Sequence, residues 1–236
     1  MQRVRGNGGE ADGIAALPGS RGSGYNMDMA TVTSAISLPP LPTFTDIPLL
    51  PPASDGRVRF SREAYHRMFE TGVLDSQKRY ELIEGEIVMT PPIGPGQGDL
   101  ISQLTDFFVR RLPDELQCRI QLPIVVGDHS EPEPDLAVVR RREPRYRSEH
   151  PFPTDVVLLI EVSQSSPPRD RGQKMQLYAR SGIAEYWIVD VEHRIVIVHR
   201  QPGPLGYADV QQFTARASIA PFAAPDCKLD LGWLFA

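Results

Sequence analysis

Three residues of this chain could do chemistry together. Asp135 follows Pro134 in "EPEPDLAVV" and opens an apolar strand pattern. Glu161 follows the unbroken apolar run from Val156 to Ile160, a pattern that reads as a buried strand. Ionised carboxylates are rarely buried unless they are paired or coordinate a metal. The two acids lie 26 residues apart. If their strands pair antiparallel, the start of one lies beside the end of the other, and both carboxylates meet at one edge of a sheet. Such a pair suits a hard cation such as magnesium, which takes one or two carboxylates and keeps several waters. Each acid also has a plainer reading, since Asp135 can cap a turn and Glu161 can pair with an arginine.

The third residue is Lys174. Asp170, Lys174 and Tyr178 follow one another at i, i+4 spacing and share a helical face. A solvated Asp170–Lys174 pair would be worth about 0.3–0.5 kcal/mol. Alternatively Lys174 reaches back toward the carboxylates, where a cation would stabilise charge on a phosphate. Spacing by itself favours the surface pair. A second charged stretch, "RRREPRYR" at 140–147, holds five arginines, Arg140, Arg141 and Arg142 among them, plus Tyr146. It follows the Asp135 strand and so lies at its far end. Such a cluster can grip phosphates without reading sequence, or it is a solvated loop diluted by Glu143 and Glu149.

The elements that must position these residues follow from pattern. "SREAYHRMFETG" reads as a short helix opened by Ser61 and closed by Gly72. "RYELIEGEIVMT" reads as a hairpin around Glu-Gly, and "PPIGPGQG" as a loop. "DLISQLTDFFVRRL" places Leu100, Ile101, Leu104, Phe107, Phe108 and Leu112 on one helical face, with Asp99 near its start. "CRIQLPIVVG", "DLAVVRR" and residues 155–163 are strand candidates. "RDRGQKMQLYARSG" is a helix ended by Gly182, and "AEYWIVDVEHRIVIVHRQ" a ribbon turning near Glu192-His193. "YADVQQFTARASI" is a further strand, and "LDLGWLF" a short terminal piece. The order predicts a mixed α/β domain around a central sheet. Tyr186 and Trp187 read as packing, His129 as a solvated loop residue, and His193 and His199 as strand-surface residues. No Walker-type loop, dinucleotide fingerprint or zinc-spaced pair occurs.

Composition separates residues 1–55 from the rest. They are Gly-rich and then Pro-rich, too poor in apolar surface to offset ordering entropy, and read as a disordered tail. Met27 and Met29 are alternative candidate starts. Residues 56–236 read as one domain. The net charge of −5 gives no overall basic pull toward nucleic acid, although a local basic groove can act on an acidic protein. Two cysteines are too few for a disulfide framework or a structural zinc site, which suggests a reducing, cytoplasmic setting. No apolar run approaches the roughly 20 residues that span a bilayer. Arg3 and Arg5 stand without an apolar run behind them, unlike a secretory signal.

The ordered set "YELIEGEIV", "PPIGPGQGDLISQL", "EPDLAVV", "LLIEVSQSS" and "DRGQKMQLYARSGIAEYWIVD" resembles the Uma-type restriction endonuclease family, over about residues 60–200 and more loosely to "LDLGWLF". That family belongs to the restriction endonuclease-like nucleases with a P-D…(D/E)-x-K signature. The resemblance implies a restriction endonuclease-like fold, a central mixed β-sheet flanked by helices. It implies hydrolysis of DNA phosphodiester bonds, with water activated by magnesium, or manganese in its place, held by Asp135 and Glu161. The backbone carbonyl of Val162 would add a third oxygen. Ser163 stands where the superfamily's lysine usually lies, so the lysine is expected from the next helix, as Lys174. Glu81 matches an acidic position near the family's site, or is a strand-surface acid. Many members carry a histidine where this chain has Gln97; a glutamine can hydrogen-bond a phosphate or water but cannot shuttle a proton. The resemblance further implies DNA as partner, a homodimer with the late ribbon as a pairing element, and neither a membrane nor a small-molecule organic cofactor. The alternative is a catalytically inactive nucleic-acid- or partner-binding module that keeps the fold.

Overall fold

The computed structural model describes residues 56–163 and 168–236. The tail expected over 1–55 lies outside the described residues. Ser61 Oγ accepts from the Ala64 N–H at 3.1 Å and starts α1 (Arg62–Glu70). The hairpin β1 (Tyr80–Ile83) and β2 (Glu86–Met89) forms where expected, as a separate two-stranded sheet. Its turn puts both Glu84 and Gly85 at positive φ, which a two-residue hairpin of this hand requires. Gly85 is also needed for space, since a Cβ there would meet Arg59 Cβ at 2.6 Å.

The central sheet has six strands in the order β3 (Leu116–Ile120), β4 (Leu136–Arg140), β5 (Val156–Ser163), β6 (Glu185–Asp190), β7 (Ile195–Gly203), β8 (Gly206–Thr214). Every pairing is antiparallel except β5–β6. That parallel step needs a crossover, supplied by α3 (Pro168–Arg180). Two short strands, β9 (Ser218–Ile219) and β10 (Leu229–Asp230), pair with each other before α4 (Leu231–Leu234).

Side-chain alternation sends the two faces of β5 to different partners. Leu158, Ile160 and Val162 pack with Leu104 and Phe108 of α2 (Pro95–Arg111) and with Trp187. Leu159 points the other way, into a second cluster with Leu177, Tyr178 and Tyr186. Ile160 is fully buried, and its truncation to Ala would cost about 2–5 kcal/mol.

Three local expectations need correction. The stretch "PPIGPGQG" is not all loop: α2 begins at Pro95, because a proline at the first helical position gives up an N–H that has no partner there anyway. The strand expected over 118–127 stops at Ile120, where Gln121 turns to positive φ and Pro123 follows. Ile124 and Val126 are still buried, held by N–H bonds to Pro132 O and Ser130 O. His199 is not a surface residue, since it is buried and lies against the rings of Tyr186 and Tyr207. His193 sits in the β6–β7 turn, facing Asp190 at 3.0 Å.

Candidate active site

β4 and β5 pair antiparallel with Leu136 opposite Ile160, so Asp135 and Glu161 end up at the same edge of the sheet. Alternation then decides where they point. Glu161 lies on the face of Leu159, toward α3, and not on the face of Ile160. Past Ile160 the β4 ladder ends, and the next N–H of β5 that faces that way belongs to Val162. It donates to Asp135 Oδ2 at 2.8 Å, while Gln121 Nε2 makes a long 3.4 Å contact to Oδ1. A backbone group that would otherwise be unsatisfied therefore orients the carboxylate.

α3 aims two residues at Glu161. Lys174 Nζ donates to Glu161 Oε1 at 2.9 Å and to Glu81 Oε1 at 2.8 Å. One turn on, the Tyr178 hydroxyl donates to the same Glu161 oxygen at 3.2 Å. Glu81 is carried in by β1 and fixed by the Glu133 N–H at 2.6 Å. Thus β1, the residue before β4, β5 and α3 each supply one member of the cluster. The members are withdrawn from solvent: Glu81 is 5% and Asp135 6% exposed, and the side chains of Lys174 and Glu161 are 16% and 17% exposed.

The electrostatics are out of balance. The cavity that opens onto the cluster has a volume of about 410 Å³ and is lined by Glu81, Glu133, Asp135 and Glu161, against two cations, Arg79 and Lys174. Burial pushes the Glu161 carboxyl up to about 7; Lys174 opposes the shift, and Asp135 and Glu81 add to it. Burial likewise raises Asp135, partly offset by the bond from Val162. Burial alone would lower Lys174, but Glu161 and Glu81 outweigh it and hold the ammonium protonated well above its ordinary range. Burial raises Glu133, with Arg79 at 3.3 Å opposing.

Residues 62–232 match the family model described as "Uma2: Putative restriction endonuclease". The chain belongs to the Uma2 family. Among solved structures it is similar to "a putative nuclease belonging to DUF820" from Anabaena variabilis ATCC 29413, with a TM-score of 0.58 and 19% identity over 70% of this chain and 96% of that one. At that identity the likeness shows the fold, a mixed sheet flanked by helices. No curated protein matches the chain.

As a Uma2 member the chain brings Asp135, Glu161, Lys174 and Glu81 together. Gln97, at the start of α2, lines the cavity, and its amide donates to Val162 O at 2.9 Å. The arginines are not brought in. Arg140 ends β4, roughly 16 Å of strand from Asp135. Arg141 donates to Leu116 O, and Arg142 pairs with Glu149 and lies over the Tyr146 ring. The expected Asp170–Lys174 pair depends on the Asp170 side chain, which lies outside what the structure describes. Sequence reasoning missed the roles of Glu133 and Arg79 in the cavity. Glu133 had a signal, since it stands two residues before Asp135 in an extended Pro-flanked stretch, where i and i+2 share a side. Arg79, outside any motif, had none.

Proposed function

We propose that this protein is a divalent-cation-dependent endonuclease acting on DNA phosphodiester bonds. The observation that carries the reading is the convergence of Asp135, Glu161, Glu81 and Lys174 at one cavity from four separate chain segments. The donor set fits magnesium. Glu161 commits Oε1 to Lys174 and Tyr178, and among the described residues Oε2 makes no hydrogen bond. Burial raises the Glu161 and Asp135 carboxyls, and a divalent ion bound between them would favour their ionised forms. Asp135 and Glu161 would leave the remaining positions to water and substrate, as magnesium prefers; among the described residues no group of three or more His, Cys, Asp or Glu side chains is placed to hold a metal. Manganese has the same oxygen chemistry. Such a cation supplies Lewis acidity at the phosphoryl group.

The protein's own residues would do the rest. Asp135 is held in orientation by the Val162 N–H. Lys174, kept cationic by two carboxylates, would stabilise charge gathering on the scissile phosphate. Tyr178 fixes which Glu161 oxygen faces the lysine. The Val162 carbonyl, offered as a third oxygen, already accepts from Gln97 and would use its second lone pair. Two copies related by a two-fold axis would present one site to each strand, with the outer strand β8 as the pairing edge. Among the described residues no helix is long and apolar enough to cross a membrane; the proposed setting is the cytoplasm.

A plasmid-nicking assay in magnesium or manganese, with wild type, Asp135→Ala, Glu161→Ala and Lys174→Ala, tests the reading. It fails if wild type cuts and all three variants cut equally well. One observation favours a second reading, a non-catalytic binding module. Gln97 stands where many members have a histidine, and its amide is spent on Val162. That reading expects DNA binding without cleavage in any metal.

A further inference from the structure

We infer that the substrate strand enters this site unpaired, with a nucleobase lodged against the apolar wall of the cavity, so that the protein acts on single-stranded or frayed DNA in preference to intact duplex. The inference rests on the nuclease reading above and names its substrate class. Three observations carry it.

The first is depth. Glu81 and Asp135 are 5% and 6% exposed. A phosphate must therefore descend into the cavity to reach them, which a strand held rigidly in a stacked helix does poorly. The second is the lining. On the side of the β1–β2 hairpin and the segment that follows it, the cavity is walled by Ile83, Val88, Met89, Pro91, Pro92 and Ile93. Met89 is 61% exposed, and both prolines are exposed as well, so an apolar lip stands at the mouth. A volume of about 410 Å³ accommodates one drug-sized ligand, the size class of a nucleotide, and nothing like the width of a double helix. An apolar wall beside a phosphate site has no partner in a duplex, whose bases are already stacked, but it suits the exposed face of an unpaired base.

The third is charge. The cavity holds four carboxylates and two cations, and both cations are already paired, Lys174 with Glu81 and Glu161, and Arg79 with Glu133. Duplex DNA carries one negative charge per about 1.7 Å of axis, a single strand one per about 3.4 Å. The arginines that could offset the denser charge sit at the far end of β4. The acid-rich floor of the cavity thus repels the duplex more strongly.

The test is fluorescence anisotropy with full-length protein in calcium, comparing a labelled oligothymidine with the same strand in a blunt duplex, alongside cleavage of both in magnesium and manganese. The expected result is a single-strand Kd about tenfold or more below that of the duplex. Met89→Ser should weaken single-strand binding several-fold and Met89→Phe should tighten it, both with little effect on the duplex, because an exposed side chain changes the lip and not the fold. Opposite signs at one surface position are not produced by a loss of folding. Duplex binding as tight as single-strand binding overturns the inference, as does no measurable binding of either form, or the same shift from both Met89 variants. Preferential single-strand binding without cleavage in either metal supports the inference and defeats the nuclease reading. Equal cutting and equal affinity for both forms do the reverse.

Discussion

Two charged clusters sit at opposite ends of β4 and follow opposite rules. At the Asp135 end, four carboxylates surround a cavity with two cations, and burial raises Asp135, Glu133 and Glu161. At the Arg140 end, Arg140, Arg141, Arg145 and Arg147 are exposed to solvent, Arg142 meets Glu149 at 3.2 Å and lies 4.3 Å above the Tyr146 ring, and Arg141 donates to Leu116 O. The excess charge of the second cluster faces solvent; that of the first is withdrawn from it. Charge density in the sequence points to the arginines, whereas buried charge in the structure points to the acids.

The largest expected effect separates the two ends directly. Asp135→Ala and Glu161→Ala should each lower plasmid nicking by on the order of 10³-fold, through loss of cation binding. Arg142→Ala should leave the rate within about threefold, because its guanidinium is engaged by Glu149 and lies past the far end of β4 from Asp135. Equal losses at both ends would dissolve the contrast. Next comes Lys174→Ala, for which nicking should fall on the order of 10²-fold. The variant leaves Glu81 and Glu161 facing each other without their shared cation, so its melting temperature should drop more at pH 8 than at pH 5. A uniform drop at both pH values would show that Lys174 packs without balancing charge.

A smaller effect is thermodynamic. The Glu161 carboxyl rises from 4.5 to about 7 in the folded state. The folded protein therefore keeps a proton that the unfolded chain releases, and stability present below pH 4.5 is lost as pH rises toward 7. The loss should be on the order of 1–3 kcal/mol in chelator, shrink on adding magnesium, and shrink in Glu161→Gln to the part left by Asp135 and Glu133. Urea melts across that range measure it; a flat profile in wild type would remove the imbalance. The smallest effect is at the arginine end. Arg142→Ala should cost about 0.5–1 kcal/mol in the same melts, with no change of slope between those pH values.

Much of the frame was legible beforehand. Ser61 and Gly72 bracket α1, Glu84-Gly85 turns the first hairpin, and Gly182 follows α3, because caps and turns are written in one or two residues with special backbone needs. The start of α2 was not, since a Pro-Gly stretch looks the same whether it is loop or first turn. The end of β3 was also missed. Apolar residues 124–126 are buried without joining a strand, and periodicity reports burial before it reports pairing.

The same division applies to the site. By itself the sequence determined which carboxylates end strands, that Lys174 and Tyr178 share a helical face, and which family pattern they follow, because spacing along a strand or helix is local geometry. Only the tertiary structure decided that β4 and β5 run antiparallel, bringing Asp135 beside Glu161, and that β1 adds Glu81 to the same lysine. It also decided that Lys174 turns inward rather than staying at the surface. The physical reason is that a lysine's partner is chosen by unbalanced charge across space, and neighbours in the chain carry no record of the acids that folding places opposite it.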